Sequence, residues 1–341
     1  MPGVDLEKFA AEISDLGRRA RSRTGAEDVA LLKRLKRATL AAEIVGRALL
    51  HFAEGPAAWL LGLGALAFHF AVESQLNHSI MHGAYEGLPG AERFTRRRYE
   101  TLAVPFQSRT WGEAHRVHHA NPSLLGADPD TIHPLFRVHE AQAWRPWHLL
   151  NTFLGAILVF ECWAFDYDRF LKRTGLRPRG DRGELRKFLT FVGYNYLLFP
   201  LLAGARWKQV LAGNFLAVLV RNLIFVGLQT GSSVGARVST AHPFDLARKQ
   251  AGPWYLFQIE TSKNFVLRGI WTIVCGGLDR HIEHHLYPNL PPNRLYEVSD
   301  EVRSLCARHG VAYEEHPSFW SSLRDSLGHL GRLSLPPRAA A

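Results

Sequence analysis

Long apolar runs separated by short basic stretches set the pattern of this chain. The clearest run, 57–76, is 20 residues long, about 30 Å of helix, which matches a bilayer core. Its strongly polar members, His69, Glu73 and Gln75, sit towards its C-terminal end. A second run, 210–229, is interrupted by Arg221 and Asn222, and 188–204 is a shorter one. The stretch 39–54 is a weaker candidate because it carries Glu43, Arg47 and His51. Those three recur at i, i+4 and i+8 and form one stripe, suited to a bundle interior or an aqueous interface.

Charge orients these segments. Positive residues crowd the N-terminal 38 positions, the run Arg96, Arg97 and Arg98, and the stretch 169–187 with its eight basic side chains. All three stretches belong on the cytoplasmic side by the positive-inside rule. A single crossing by the apolar run 147–165 would violate that arrangement, so this run is expected to be interfacial or re-entrant. The pattern predicts an all-α integral membrane protein with four transmembrane helices in two hairpins, turned at Gly55-Pro56 and around 204–208, beneath a cytoplasmic helical cap. Both termini then lie in the cytoplasm. The chain divides into a basic N-terminal segment (1–38), a membrane domain (39–310) and a C-terminal tail (311–341).

Candidate chemistry comes from the histidines, 17 in 341 residues. Eight of them fall in three short boxes: HSIMH (His78, His82), HRVHH (His115, His118, His119) and HIEHH (His281, His284, His285). Two copies of HxxHH arise by chance in roughly 0.1% of chains of this composition. On a helix, i, i+3 and i+4 share a face, so each box can aim its imidazoles at one point. Neutral imidazole suits zinc, copper and iron, and eight ligands exceed what a single zinc uses. Two metals with open positions fit better. The cytoplasmic placement of all three boxes agrees with an even number of crossings.

The run GGLDRHIEHHLYPNLPPNRLYEV (276–298), with HSIMH and HRVHHANPSLLGADPDT upstream, resembles the membrane fatty acid desaturases, particularly the bacterial acyl-lipid, acyl-CoA and front-end groups. Front-end members commonly open the third box with Gln where this chain has His281. The resemblance implies a non-haem di-iron centre that uses O₂ and two electrons to place a double bond in an acyl chain. It implies two Fe ions held by the eight box histidines, a fatty acyl substrate carried on lipid, CoA or a carrier protein, and a bacterial inner-membrane location. Related enzymes take a further ligand from the segment between the second and third boxes, for which Asn222, Gln229 and His242 are the candidates here. An acyl methylene is neither acidic nor near a leaving group, so its oxidation calls for an O₂-activating metal on chemical grounds as well.

Metal-bound histidines commonly pass their second N–H to a carboxylate, and Glu73, Glu113, Asp128, Asp130 and Glu283 are close enough in sequence to accept it. His69 reads as a helix-packing histidine. The net charge of +10 suits anionic head groups and, more specifically, an acidic electron donor or the phosphates of acyl-CoA. Nucleic acid is excluded as a partner, since the charge lies between membrane segments and no recognition module is present. Cys162, Cys275 and Cys306 form no CxxC pair, and neither a cytochrome b5 haem motif nor a dinucleotide fingerprint occurs. Electrons are therefore expected from a separate donor of ferredoxin, rubredoxin or cytochrome b5 type with its reductase. Two other readings share these features: a hydroxylase of the same superfamily and a non-enzymatic metal-binding membrane protein.

Overall fold

The computed structural model describes residues 5–131, 137–234 and 251–337. Helix α1 (Leu6–Ser22) starts where the Asp5 carboxylate accepts the Lys8 N–H at 3.0 Å. Helices α2 (Ala26–Phe52) and α3 (Pro56–Met81) form the first hairpin. Its turn is the expected one: Gly55 takes a φ of +84° that a side chain disfavours, and Pro56 opens α3 with a φ already set for helix. The two backbones nearly touch, since a Cβ on Gly46 would lie 2.9 Å from the Leu66 nitrogen.

The second hairpin is less regular. Helix α6 (Gly183–Val192) passes through a π-turn at Gly193–Leu198 into α7 (Phe199–Leu202), reverses at Gly204 (φ +55°) and returns as α8 (Trp207–Ser233). Of the described helices, Pro56–Met81 and Gly204–Ser233 are long and apolar enough to cross a bilayer. Around both hairpins Leu40, Ile44, Leu61, Leu201, Leu202 and Phe215 are exposed, an apolar belt that water alone does not favour.

For the run 147–165, expected to be interfacial or re-entrant, the re-entrant alternative is overturned. The run enters a continuous helix, α5 (Asn151–Arg173), with no re-entrant reversal. Val159, Phe160, Trp163 and Tyr167 are buried on α5, and Phe160 and Trp163 each meet Phe225 of α8 edge-to-face. The buried face of α5 packs between α4 (Ser108–Ala120) and α8, while Trp147, Leu149, Leu150 and Phe165 of the same run are exposed.

The remaining elements build a cap on the end of α3 opposite the Gly55–Pro56 turn. They are α9 (Ala251–Glu260), α10 (Ile270–Cys275), α11 (His281–Leu286), α12 (Pro292–Arg308) and α13 (Phe319–Ser334). A two-residue parallel pairing joins β1 (Asn264–Phe265) to β2 (Glu315–His316). Within the N-terminal segment, Phe9, Ile13 and Leu16 of α1 are buried with Ile282, Val298 and Val302, and α2 runs unbroken through position 38. Beyond 310 the described residues include β2 and α13.

Candidate metal centre

Three helix segments deliver the histidines. The last turn of α3 carries His78, and His82 caps it. On α4, His115, His118 and His119 share the inner face, while α11 presents His281, His284 and His285 within six residues. Close approach of the C-terminal end of α10, which leads on towards α11, to α3 depends on Gly276, whose φ is +59° and where a Cβ would come within 2.5 Å of the Gln75 Cβ, one turn before His78. All eight histidines are buried except His82, which is partly exposed.

The rings fall into two groups. Ring nitrogens of His78, His82, His115 and His284 lie within 4.8 Å of one another, and so do those of His118, His281 and His285. In the first group His78 Nε2 is 3.0 Å from His115 Nε2 and 3.1 Å from His82 Nε2. In the second, His281 Nε2 and His285 Nε2 are 3.1 Å apart. His119 lies between the groups, its Nε2 3.2 Å from His115 Nε2 and its ring stacked on His285 at 4.3 Å. Trp111 stacks on His115 at 4.3 Å and meets His78 edge-on at 5.2 Å, walling the first group.

Partners of the rings differ between the groups. His118 Nδ1 donates to both oxygens of Asp128, at 2.9 and 3.0 Å. Asp128 is itself fixed by the backbone N–H groups of Ser123 and Asp130. Asp130 stands 3.5 Å from the same His118 nitrogen and accepts from Tyr167 Oη at 2.6 Å and Gln229 Nε2 at 3.3 Å. His285 Nδ1 donates to Gln258 Oε1 at 2.9 Å, and the Gln258 amide donates to the His119 carbonyl at 3.1 Å. Gln258 went unforeseen. Its only trace in the sequence is a lone amide in the apolar run that became α9.

Burial sets the charge state. Desolvation first, then mutual repulsion among the rings, holds His82, His115, His119, His281, His284 and His285 well below the usual histidine value. They are neutral at physiological pH, the form that ligates metal. His118 goes the other way: burial lowers it, but the charges of Asp128 and Asp130 carry it up to about 9.

The donor set fits metal ions. His118 Nε2, His119 Nδ1, His281 Nδ1 and His284 Nε2 are buried without a hydrogen-bond partner among the described residues. Orphaned buried nitrogens are costly unless something binds them. Two nitrogens each about 2.1 Å from one metal and at right angles to each other stand about 3.0 Å apart, which is the spacing seen between the facing Nε2 atoms.

Other sequence-derived candidates lie elsewhere. Asn222 is fully engaged away from the rings: it accepts from Arg221 at 2.7 Å and donates to Glu161 at 2.9 Å and the Ile157 carbonyl at 2.7 Å. Placed beside a buried arginine, its oxygen is spent on that cation. Glu73 meets Lys36, Tyr99 and Thr39 instead of a box histidine, because five residues before His78 it faces α2. Glu283 turns away from the rings to Tyr313 Oη (2.7 Å) and Asn264 Nδ2 (2.8 Å), anchoring α11 to the strand pair. Glu113 pairs with Arg109. His69 packs as expected, its Nδ1 3.0 Å from the Thr39 carbonyl. His242 lies outside the described residues.

The architecture is thus that of a helical protein closed around a buried histidine cluster of metal-ligand character. Residues 54–317 match the family model for fatty acid desaturases. The chain is 30% identical to the NADPH-dependent stearoyl-CoA 9-desaturase of Mycobacterium tuberculosis, over 98% of this chain and 81% of that protein. It is 24% identical to the sn-1 linoleoyl-lipid 6-desaturase of Synechocystis, over 77% of each chain. A third relative, the acyl-lipid (8-3)-desaturase of Physcomitrium patens, is 31% identical over 81% of this chain and 60% of its own length. The chain belongs to the fatty acid desaturase family. It is an enzyme of that class, which removes the non-enzymatic reading.

Proposed function

We propose that the protein inserts a double bond into a saturated stretch of a fatty acyl chain carried on CoA or lipid, using O₂ at a pair of iron ions held by the eight box histidines. The observation that carries this reading is the convergence of those rings into two neighbouring groups with orphaned nitrogens. His78, His82, His115 and His284 would hold one iron; His118, His281 and His285 would hold the other, with His119 between them. Bound iron would supply the O₂-derived oxidant that a methylene C–H bond requires.

The protein's own side chains do the positioning. Asp128 keeps the proton of His118 on Nδ1, so that Nε2 faces the cluster. Gln258 does the same for His285 and ties that ring to the helix carrying the second box. A narrow cavity of about 100 Å³ reaches His118 and Asp128 between α5 and α8, walled by Val159, Trp163, Val226 and Leu330. Its apolar wall suits an acyl chain and excludes water from the reacting carbons. The exposed apolar belt and the two long helices support an integral membrane protein in which both hairpins cross the bilayer, with the histidine cap and both termini on the basic, cytoplasmic side of a bacterial inner membrane.

The test is expression in a host with a compatible reductase chain and mass-spectrometric profiling of total fatty acids beside His284→Ala. A new unsaturated species with wild type and none with the variant is the expected result. Hydroxylated products in its place would move the reading to the hydroxylase branch.

A further inference from the structure

Away from the cavity beside His118, the described residues enclose a further space of about 250 Å³ where the first hairpin meets the cap. It lies between α2 (Leu31, Leu35), α3 (Val72, Gln75, Leu76), the end of α10 and the start of α12. It shares no lining residue with the acyl cavity. Val72, Gln75, Leu76 and Tyr85 form its buried wall. Leu31 and Ile273 line it from opposite elements and are both exposed, so it opens between α2 and α10. Ile270 and Trp271 beside that opening are each 54% exposed, an apolar rim that lipid covers better than water does.

The polar side chains of the lining are engaged, with one exception. Tyr296 donates to Asp279 at 2.6 Å, Asn293 to Asp28 at 2.7 Å and Thr272 to the Gly269 carbonyl at 2.8 Å, and Tyr85 is hydrogen-bonded with Ser79. Gln75 is the exception. It is 3% exposed, and its Oε1 has no hydrogen-bond partner among the described residues. A buried acceptor left unmet is costly to the fold. Gly276, also on the lining, keeps open the space beside that oxygen, since a Cβ there would stand 3.2 Å from it.

These features define a ligand. The unmet acceptor calls for a donor, and no Asp, Glu, Lys or Arg lines the cavity. A carboxylate, phosphate or ammonium would be buried there unpaired, a penalty that a neutral hydroxyl escapes. The acceptor stands on the buried wall and apolar side chains stand at the opening, so the ligand sits head inward with its tail towards lipid. That order excludes a phospholipid, whose charged head must stay in water. The volume is just below the ~300 Å³ at which small-molecule sites begin, enough for a hydroxyl and the first part of an unbranched chain.

We propose that this cavity binds a long-chain primary alcohol, its hydroxyl donating to Gln75 Oε1 and its tail lying along Leu35 and Val72 to the opening between Leu31 and Ile273. Seated there, the alcohol touches α3 one turn before His78 and also Gly276, which leads on towards α11. It therefore bridges two of the segments that carry the histidine boxes, and its binding stabilises the folded chain in step with its concentration.

The experiment photolabels the protein, in nanodiscs of phosphatidylcholine and phosphatidylglycerol, with a diazirine analogue of 1-decanol and maps the adducts by peptide mass spectrometry. Adducts are expected on the segments holding Leu35, Gln75 and Ile273, and excess 1-decanol should remove them. Decanoate at pH 8 and decyltrimethylammonium, at matched membrane concentrations, should leave them in place. Gln75→Leu keeps the bulk and deletes the acceptor; it should raise the 1-decanol concentration for half-competition about tenfold. Val72→Phe, which fills the cavity, should remove these adducts and no others. The comparison of head groups in wild type requires no variant, so it decides even if a variant fails to fold. Equal competition by decanoate or by the ammonium overturns the proposal, because an apolar crevice without head recognition would give that result. An unchanged half-competition in a folded Gln75→Leu overturns it as well, as does the absence of adducts that 1-decanol removes. Adducts confined to Val159, Trp163 and Val226 also overturn it, since they place the alcohol in the acyl cavity.

Discussion

The two histidine groups differ in what stands behind their rings. Behind two of the rings in the group of His118, His281 and His285 a hydrogen bond holds the second nitrogen, Asp128 on His118 and Gln258 on His285, while His281 Nδ1 has no partner among the described residues. Around His78, His82, His115 and His284 no carboxylate or amide meets a ring nitrogen among the described residues, and the support is aromatic, chiefly Trp111. A carboxylate behind an imidazole raises its basicity and fixes its tautomer. Stacking fixes the plane alone. Two metals bound here would be electronically unequal, the one beside the acyl cavity held by the more basic set and the one beside the surface by the less.

The strongest tests remove one ligand from each group. His284→Ala and His285→Ala are each expected to abolish product, and metal analysis should find about one ion lost per chain in each case. If both variants lose all metal, the groups bind as one cooperative unit and do not differ as separate sites. Next in size is Asp128→Asn, which keeps the shape but removes the charge; a loss of 10- to 100-fold in metal affinity or activity is expected. Trp111→Leu, the matching change behind the first group, should cost less than Asp128→Asn when both are titrated with Fe(II).

Proton linkage sharpens the same contrast. His118 keeps its extra proton up to about 9, above the ~6.5 of an unfolded chain. The stability that its pairing with Asp128 lends the metal-free protein is therefore fully present below about pH 6.5 and lost as pH rises through about 9. Metal needs His118 Nε2 free, so its binding should tighten by up to about tenfold per pH unit on approaching pH 9, with about one proton released. The other rings are already neutral and should add little. Calorimetry in buffers of different ionisation heat counts that proton, and Asp128→Asn should erase it. The smallest effect is expected from Asn222→Leu, which should leave bound iron unchanged because that side chain serves Arg221 and Glu161.

Much of this was legible in the sequence. Histidine spacing announced the cluster, because i, i+3 and i+4 converge on any helix. The proximity of Asp128 to His118 followed from the short loop joining them. Glu73 misled for a reason helical geometry explains: five residues from His78 is about 140° around the helix, so nearness in sequence put it on the opposite face. Gln258 was invisible, because a single amide gains its role only once α9 packs against α11. The hairpin turns were readable in Gly55, Pro56 and Gly204. The helical run of α5 was not, since a re-entrant segment and a buried helix share the same apolar pattern until a packing partner is known.

The near-contact of α2 and α3 also constrains biogenesis. Lys36 of α2 pairs with Glu73 across this hairpin, whereas Arg47 pairs with Glu43 within α2. If the hairpin crosses the bilayer as proposed, α2 entering alone would carry Arg47 with only its own Glu43 as partner, and α3 alone would carry Glu73 with none. Together they present no net charge to the hydrocarbon. The pair is therefore expected to insert as one unit, and a ribosome stalled between the two helices should leave α2 extractable from the membrane by alkali.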